Sequence, residues 1–306
     1  MRPQRSLKTV ILCSFLLFQC LLEAQTSWPG EASDWNGYQR YDFEVDGRAC
    51  YVVTPQTVID GNPWVWRARF PNFHTGADLI LLEQGFHIAF MDTNRMLGSP
   101  RAMKHWDAFY EVITDTYNLA PKPALEAVSR GGLFAYRWAS RHPDRVACIY
   151  ADTPVCDFKS WPLGRGEGIG HPKTWNTLLE EYGFTQEKAL AFDENPIDVL
   201  EPIAQAGIPL MTIVSLNDVV VPPAENTFVL AKRYRELGGS IEIIKVEEGT
   251  DKSNGHHFTH PDPQRVAAFI ASNIIEPFHP TKKRPLNTLR KRWKELSGNF
   301  DGLRNP

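Results

Sequence analysis

From residue 86 onward, short strand-like runs alternate with longer segments of helical period, and no other feature of the chain limits its fold so tightly. The strand-like runs are 86–91, 124–128, 146–150, 208–215 and 241–246, and helical spacing occupies 101–117, 133–141, 224–237 and 266–275. Short strands alternating with longer helices imply a mostly parallel sheet with helices on both faces. Ahead of this rhythm, 41–55 alternates polar and apolar residues around Asp46-Gly47, a dipeptide suited to a hairpin turn. A β-rich run at 64–70 follows the turn Gly61-Asn62-Pro63, and 76–84 reads as a helix stopped by Gly85. The stretch 157–201 breaks the alternation with Gly164, Gly166, Gly168 and Gly170 and a polar helix-like segment at 175–182. It is read as a short insertion over the strand ends, where open α/β sheets keep their sites.

The 306 residues, 42% hydrophobic, suffice for one large core, and a net charge of −3 supplies no global basic field for nucleic acid. Arg2, Arg5 and Lys8 precede an almost wholly apolar run at 10–22 and then Glu23-Ala24-Gln25. The pattern predicts a signal peptide over 1–24, a secreted or periplasmic mature chain and no stable membrane insertion after cleavage. The body is then 25–279, followed by a basic tail at 280–306 that reads as a solvated end. Removal of the signal leaves Cys50, Cys148 and Cys156, an odd number, so at least one thiol is free or pairs between molecules; plain burial is expected. With no short Cys-x-x-Cys pair and no Gly-rich loop ending in Lys-Ser/Thr, neither a metal nor another cofactor is expected.

Between the run at 124–128 and the helix that follows lies Ala127-Val128-Ser129-Arg130-Gly131. A serine on a sharp strand-to-helix turn needs small neighbours two before and two after it, and here they are Ala127 and Gly131. The plain alternative is a turn in which Ser129 merely caps a helix. The rest of the chain supplies the partners in nucleophile–acid–histidine order. Asp218 lies just past the strand 208–215, and His256 in Asn254-Gly255-His256-His257 lies past the strand 241–246. A histidine placed there takes the serine proton, and a carboxylate fixes its tautomer. His256 is preferred to His257 because Gly255 permits the tight turn that aims the next side chain inward; His257 is expected on the other side of the loop. One oxyanion donor is assigned to the backbone N–H of Arg130 and the second to the neighbourhood of Arg67.

This order is that of an α/β-hydrolase fold. The segments PWVWRARF, GFHIAFMD, GSPRAMKHWDAFY, ALEAVSRGG, ACIYADTPVCDFKSWP and NGHHFTHPDP resemble a group of exported bacterial α/β hydrolases, often described as prolyl-oligopeptidase-like or carbohydrate-esterase-like. The resemblance implies a Ser129–Asp218–His256 triad without fixing a substrate. The Ser-Arg pair also resembles the S-R-x-G of glucuronoyl methylesterases. The expected activity is a carboxylic ester hydrolase acting on a small-molecule or polysaccharide ester, an acylated or methyl-esterified carbohydrate. Trp66 and Trp161 are candidate sugar platforms, and Arg67 or Arg130 a candidate partner for a uronate carboxylate. A prolyl-oligopeptidase-like peptidase and a non-catalytic binding member of the fold are the alternatives, and the oligomeric state stays open.

Overall fold

The fold is described from a computed structural model covering residues 27–275. The expected signal segment and basic tail lie outside the described residues. Three strands, β1 (Ala32–Trp35), β2 (Tyr38–Val45) and β3 (Arg48–Thr54), form an antiparallel meander. Then come β4 (Trp64–Arg67), α1 (Gly76–Glu83), β5 (His87–Met91), α2 (Pro100–Glu111), β6 (Ala124–Val128), α3 (Gly132–Arg141) and β7 (Cys148–Asp152). The insertion contributes α4 (Pro172–Tyr182) and α5 (Gln186–Leu190), and α6 (Glu201–Gln205), β8 (Leu210–Ser215), α7 (Thr227–Glu236), β9 (Ile241–Val246) and α8 (Pro263–Ile274) follow. The nine strands make one sheet in the order β1-β2-β3-β5-β4-β6-β7-β8-β9. From β5 to β9 every pairing is parallel, and β3 joins β5 antiparallel. This is the α/β-hydrolase fold, a mixed sheet with helices on both faces.

Alternation along β4 shows how the layers arise. Trp64 and Trp66 point into a core shared with Trp106 and Phe109 of α2 and Trp138 of α3, while Val65 points into the opposite core beside Leu81 and Leu82 of α1 and Val266 and Ile270 of α8. β6, β7 and β8 are buried at every position, as strands covered by helices on both faces must be. Among the described residues no helix is long and apolar enough to cross a membrane.

The structure departs from the sequence reading at three element ends. The hairpin at Asp46-Gly47 forms, with Val45 opposite Arg48, but a second hairpin precedes it: Asn36-Gly37, at φ +52° and +84°, joins β1 to β2. The helix expected over 101–117 stays α-helical only to Glu111 and continues as a π-helical turn over Val112–Thr116. That turn is β-branched at four of its five positions, and Thr114 Oγ1 donates to the Tyr110 carbonyl at 2.9 Å, competing with the helical ladder. β4 ends at Arg67 rather than Phe70, whose φ of +51° is incompatible with a strand.

Cys50, Cys148 and Cys156 are buried and unpaired, as small hydrophobes. Burial pushes the Cys50 thiol up to about 12 and the other two well above the ordinary thiol range.

Candidate active site

β6 ends at Val128, and the chain reverses into α3 through Ser129, which holds φ at +51°. A side chain in that left-handed conformation is strained, and the strain lifts Oγ off the strand end. The crowding falls chiefly on Gly132. A Cβ there would stand 2.5 Å from the Val155 carbonyl oxygen, whereas at Gly131 it would meet Ala68 Cβ at 3.3 Å.

His256 comes to Ser129 on the loop after β9. Gly255, at φ +80°, lies so close to Asn217 that a Cβ would stand 2.2 Å from its carbonyl oxygen. Asn217 Oδ1 accepts from the Gly249 N–H at 2.7 Å, tying the loop after β8 to the loop after β9. This fixes His256 Nε2 3.0 Å from Ser129 Oγ and His256 Nδ1 2.6 Å from Asp218 Oδ2. Asp218 is buried, and its Oδ1 accepts from the N–H groups of Val220 and Val221 at 2.8 and 2.9 Å. Both carboxylate oxygens are therefore engaged, and the histidine is oriented with Nε2 toward the serine.

Ser129 opens onto a cavity of about 250 Å³ whose lining includes Phe70, Phe73, Val128, Arg130, Trp161 and Val220. Trp161 is thus at the cavity. His257 also lines it, so the expectation that His257 faces away is corrected. Burial and the neighbouring His256 hold the His257 imidazole below its usual range.

Trp66 is not a platform. It is fully buried, its ring stacked on Trp106 with centroids 4.2 Å apart. Arg67 is likewise not at the cavity. It sits in β4 opposite Phe90 and Glu126, fully buried, with its guanidinium between Asp78 and Glu126. The distance from Arg67 Nη1 to Glu126 Oε1 is 2.9 Å. Burial pushes the Glu126 carboxyl well above its ordinary range despite the neighbouring Arg67. Sequence reasoning missed this cluster, yet Glu126 in an apolar strand and Asp78 in an apolar helix were two buried acids calling for a cation.

Arg67 acts on the site from behind. Its Nη2 donates to the carbonyls of Phe70 and Phe73 at 3.2 and 2.5 Å and so shapes the loop beside Ser129. Next along, His74 bridges two elements: Nδ1 is 2.6 Å from Asp152 Oδ2 and Nε2 is 2.7 Å from the Phe258 carbonyl. Both ring nitrogens donate, so the ring is an imidazolium. Burial pulls its pKa down, but the hydrogen bond and charge of Asp152 and the Phe258 carbonyl outweigh this and raise it. Asp152, opposite Val128 in the sheet, is committed to His74 rather than to His256.

No family model and no curated protein sequence matches the chain. Solved structures do match in fold. A puromycin-hydrolyzing peptidase of Mycobacterium tuberculosis is 16% identical, with a TM-score of 0.63 over 85% of this chain and 42% of that one. An acylaminoacyl peptidase of Pyrococcus horikoshii is 12% identical, with a TM-score of 0.58 over 88% and 45%. The M. tuberculosis protein MPT51 (FbpC1) is 14% identical, with a TM-score of 0.57 over 78% of this chain and 98% of that one. The chain thus spans less than half the length of the two peptidases.

Proposed function

We propose that the protein is a serine hydrolase that cleaves carboxylic esters of decorated carbohydrate, with Ser129 as nucleophile, His256 as general base and Asp218 as the acid that orients it. The observation that carries this reading is the unbroken row Ser129 Oγ–His256 Nε2–His256 Nδ1–Asp218 Oδ2, at 3.0 and 2.6 Å, with the serine on a left-handed turn at the cavity floor.

In the reaction Ser129 Oγ attacks the ester carbonyl carbon as its proton passes to His256 Nε2. The resulting imidazolium is stabilised by Asp218. The carbonyl oxygen gains negative charge and needs two donors. The Arg130 N–H is one, because it heads the turn into α3, where the first N–H groups lack helical acceptors. The second comes from the Arg69–Phe70 stretch. The Ala68 N–H is spent on the Glu126 carbonyl at 2.8 Å, while the Arg69 nitrogen lies 3.6 Å from where a Cβ on Gly131 would sit. His256 then returns the proton to the leaving alcohol. Water, activated by the same histidine, attacks the acyl-serine carbonyl, and Ser129 leaves with a proton.

The carbohydrate part of the reading rests on the cavity walls. Trp161, Phe70 and Phe73 offer aromatic faces on which a sugar ring can stack. The peptidase reading draws on the peptidases of like fold, and the same assay decides between them. A fluorophosphonate should label Ser129 in the wild type and fail on Ser129→Ala; labelling of another serine sinks the nucleophile assignment. Acetylated and methyl-esterified sugars beside proline-containing peptides should show ester turnover, and peptide cleavage alone would transfer the protein to the peptidase reading.

A further inference from the structure

Arg130 follows the nucleophile, and its side chain is left without a counter-charge. Its Nε is shut off from solvent with no acceptor, and among the described residues the guanidinium forms no ion pair. Its carbon stands 5.1 Å from the Phe70 ring centroid and 5.9 Å from that of Trp161, so aromatic faces hold it in place. The neighbouring Arg69 is compensated differently, by Asp92 Oδ1 at 3.1 Å and Asn94 Oδ1 at 3.0 Å.

Beyond Arg130 lies a second cavity, of about 320 Å³, and Arg130 lines both. Its walls include Arg95, Lys173, His171, Asn94 and Thr177, and no acidic side chain. Arg95 and Lys173, like Arg130, form no ion pair among the described residues. The acidic groups nearby are already engaged: Asp92 with Arg69, and Glu181 with Arg101 and Ser99. Lys173 lies in the first turn of α4, where the helix dipole adds to the positive potential. Three uncompensated cations around one hollow repel one another, an arrangement that an anion entering the hollow relieves.

We infer that this second cavity is an anion subsite of the active centre, and that the preferred ester carries a carboxylate seated among Arg130, Arg95 and Lys173 while its scissile carbonyl lies at Ser129. The planar guanidinium of Arg130 offers paired donors that match a carboxylate, and the exposed Arg95 and Lys173 complete the charge. This inference rests on the hydrolase reading above and adds the charge of the substrate to it.

The test compares matched esters that differ only in charge: 4-nitrophenyl monosuccinate against butyrate, and 4-acetoxybenzoate against its methyl ester. At low salt the anionic member of at least one pair should show a kcat/KM higher by about tenfold or more. Arg95→Gln/Lys173→Gln should bring that preference close to parity while leaving the neutral esters unchanged. Equal turnover within both pairs, or a preference that survives the double variant, overturns the subsite. A binding measurement keeps the question separate from chemistry: Ser129→Ala titrated with galacturonate should bind it, and the same variant carrying the two Gln substitutions should not. Absence of binding to Ser129→Ala also overturns the subsite, and sulfate binding as tightly as galacturonate would replace the carboxylate with a sulfate ester. Failure of all esters together with failure of fluorophosphonate labelling counts against the hydrolase reading, a result distinct from either.

Discussion

In the proposed reaction Asp218 and His256 divide the work at the bottom of the cavity, and the geometry sets the cost of disturbing each. Asp218→Asn keeps the two bonds from Val220 and Val221 but presents an amide to His256, which can turn the imidazole to the wrong tautomer. Turnover should fall by about 10⁴-fold with little loss of stability, as read by steady-state kinetics and thermal melting. His256→Ala should abolish both turnover and fluorophosphonate labelling, whereas His257→Ala, bordering the cavity without touching Ser129, should keep labelling. The two glycines of the turn should behave differently. Gly132→Ala forces the Val155 carbonyl aside and should cost well over the effect of Gly131→Ala, measured as urea midpoints of the two variants.

Among the elements, the loop after β9 depends on a contact that no local pattern announces. His74 grips the Phe258 carbonyl, two residues beyond His256, and is itself gripped by Asp152 at the end of β7. The folded protein raises the His74 pKa above its ordinary value of 6.5, so the stabilisation is fully present below that value and is lost as pH rises through the raised one. His74→Gln should therefore melt lower than wild type by about 2–4 °C below pH 6.5, with the gap closing as pH rises through the raised value. A gap independent of pH would remove the imidazolium from the account.

Such long-range partners mark the boundary of what the chain discloses on its own. The strand, turn and helix around Ser129 follow from local chemistry, and Asp218 and His256 follow because each stands just past a strand end in the right order. Arg67 does not yield to the same reasoning. An arginine beside a loop looks alike in sequence whether it meets substrate or buried carboxylates, and only the register of β4 with β6 puts Glu126 against it. Trp66 was ambiguous in the same way, since alternation along a strand assigns a side but not which side faces the cavity.

The whole molecule separates its tryptophans by task. Trp66 stacks within a core that α2 and α3 close, so Trp66→Ala should cost about 3–5 kcal/mol of stability, measured by denaturant unfolding. Trp161, at the cavity, should instead raise KM on substitution by Ala with a smaller loss of stability. The sheet carries both consequences because its parallel half spans the molecule between two cores.

The three buried cysteines give the protein an internal clock. No covalent cross-link closes any loop of the described residues, so a reductant should leave the melting temperature of this part of the protein where it was. A thiol reagent reaches a sulfur only when the surrounding structure opens. Cys50 lies in β3 of the antiparallel meander, Cys148 in β7 of the parallel part of the sheet, and Cys156 just after Val155, whose N–H donates to the Ser129 carbonyl at 2.9 Å. The rates at which the three become alkylated under native conditions would therefore time the breathing of the antiparallel strands, of the parallel strands and of the turn after β6 separately, each recorded in one mass spectrum.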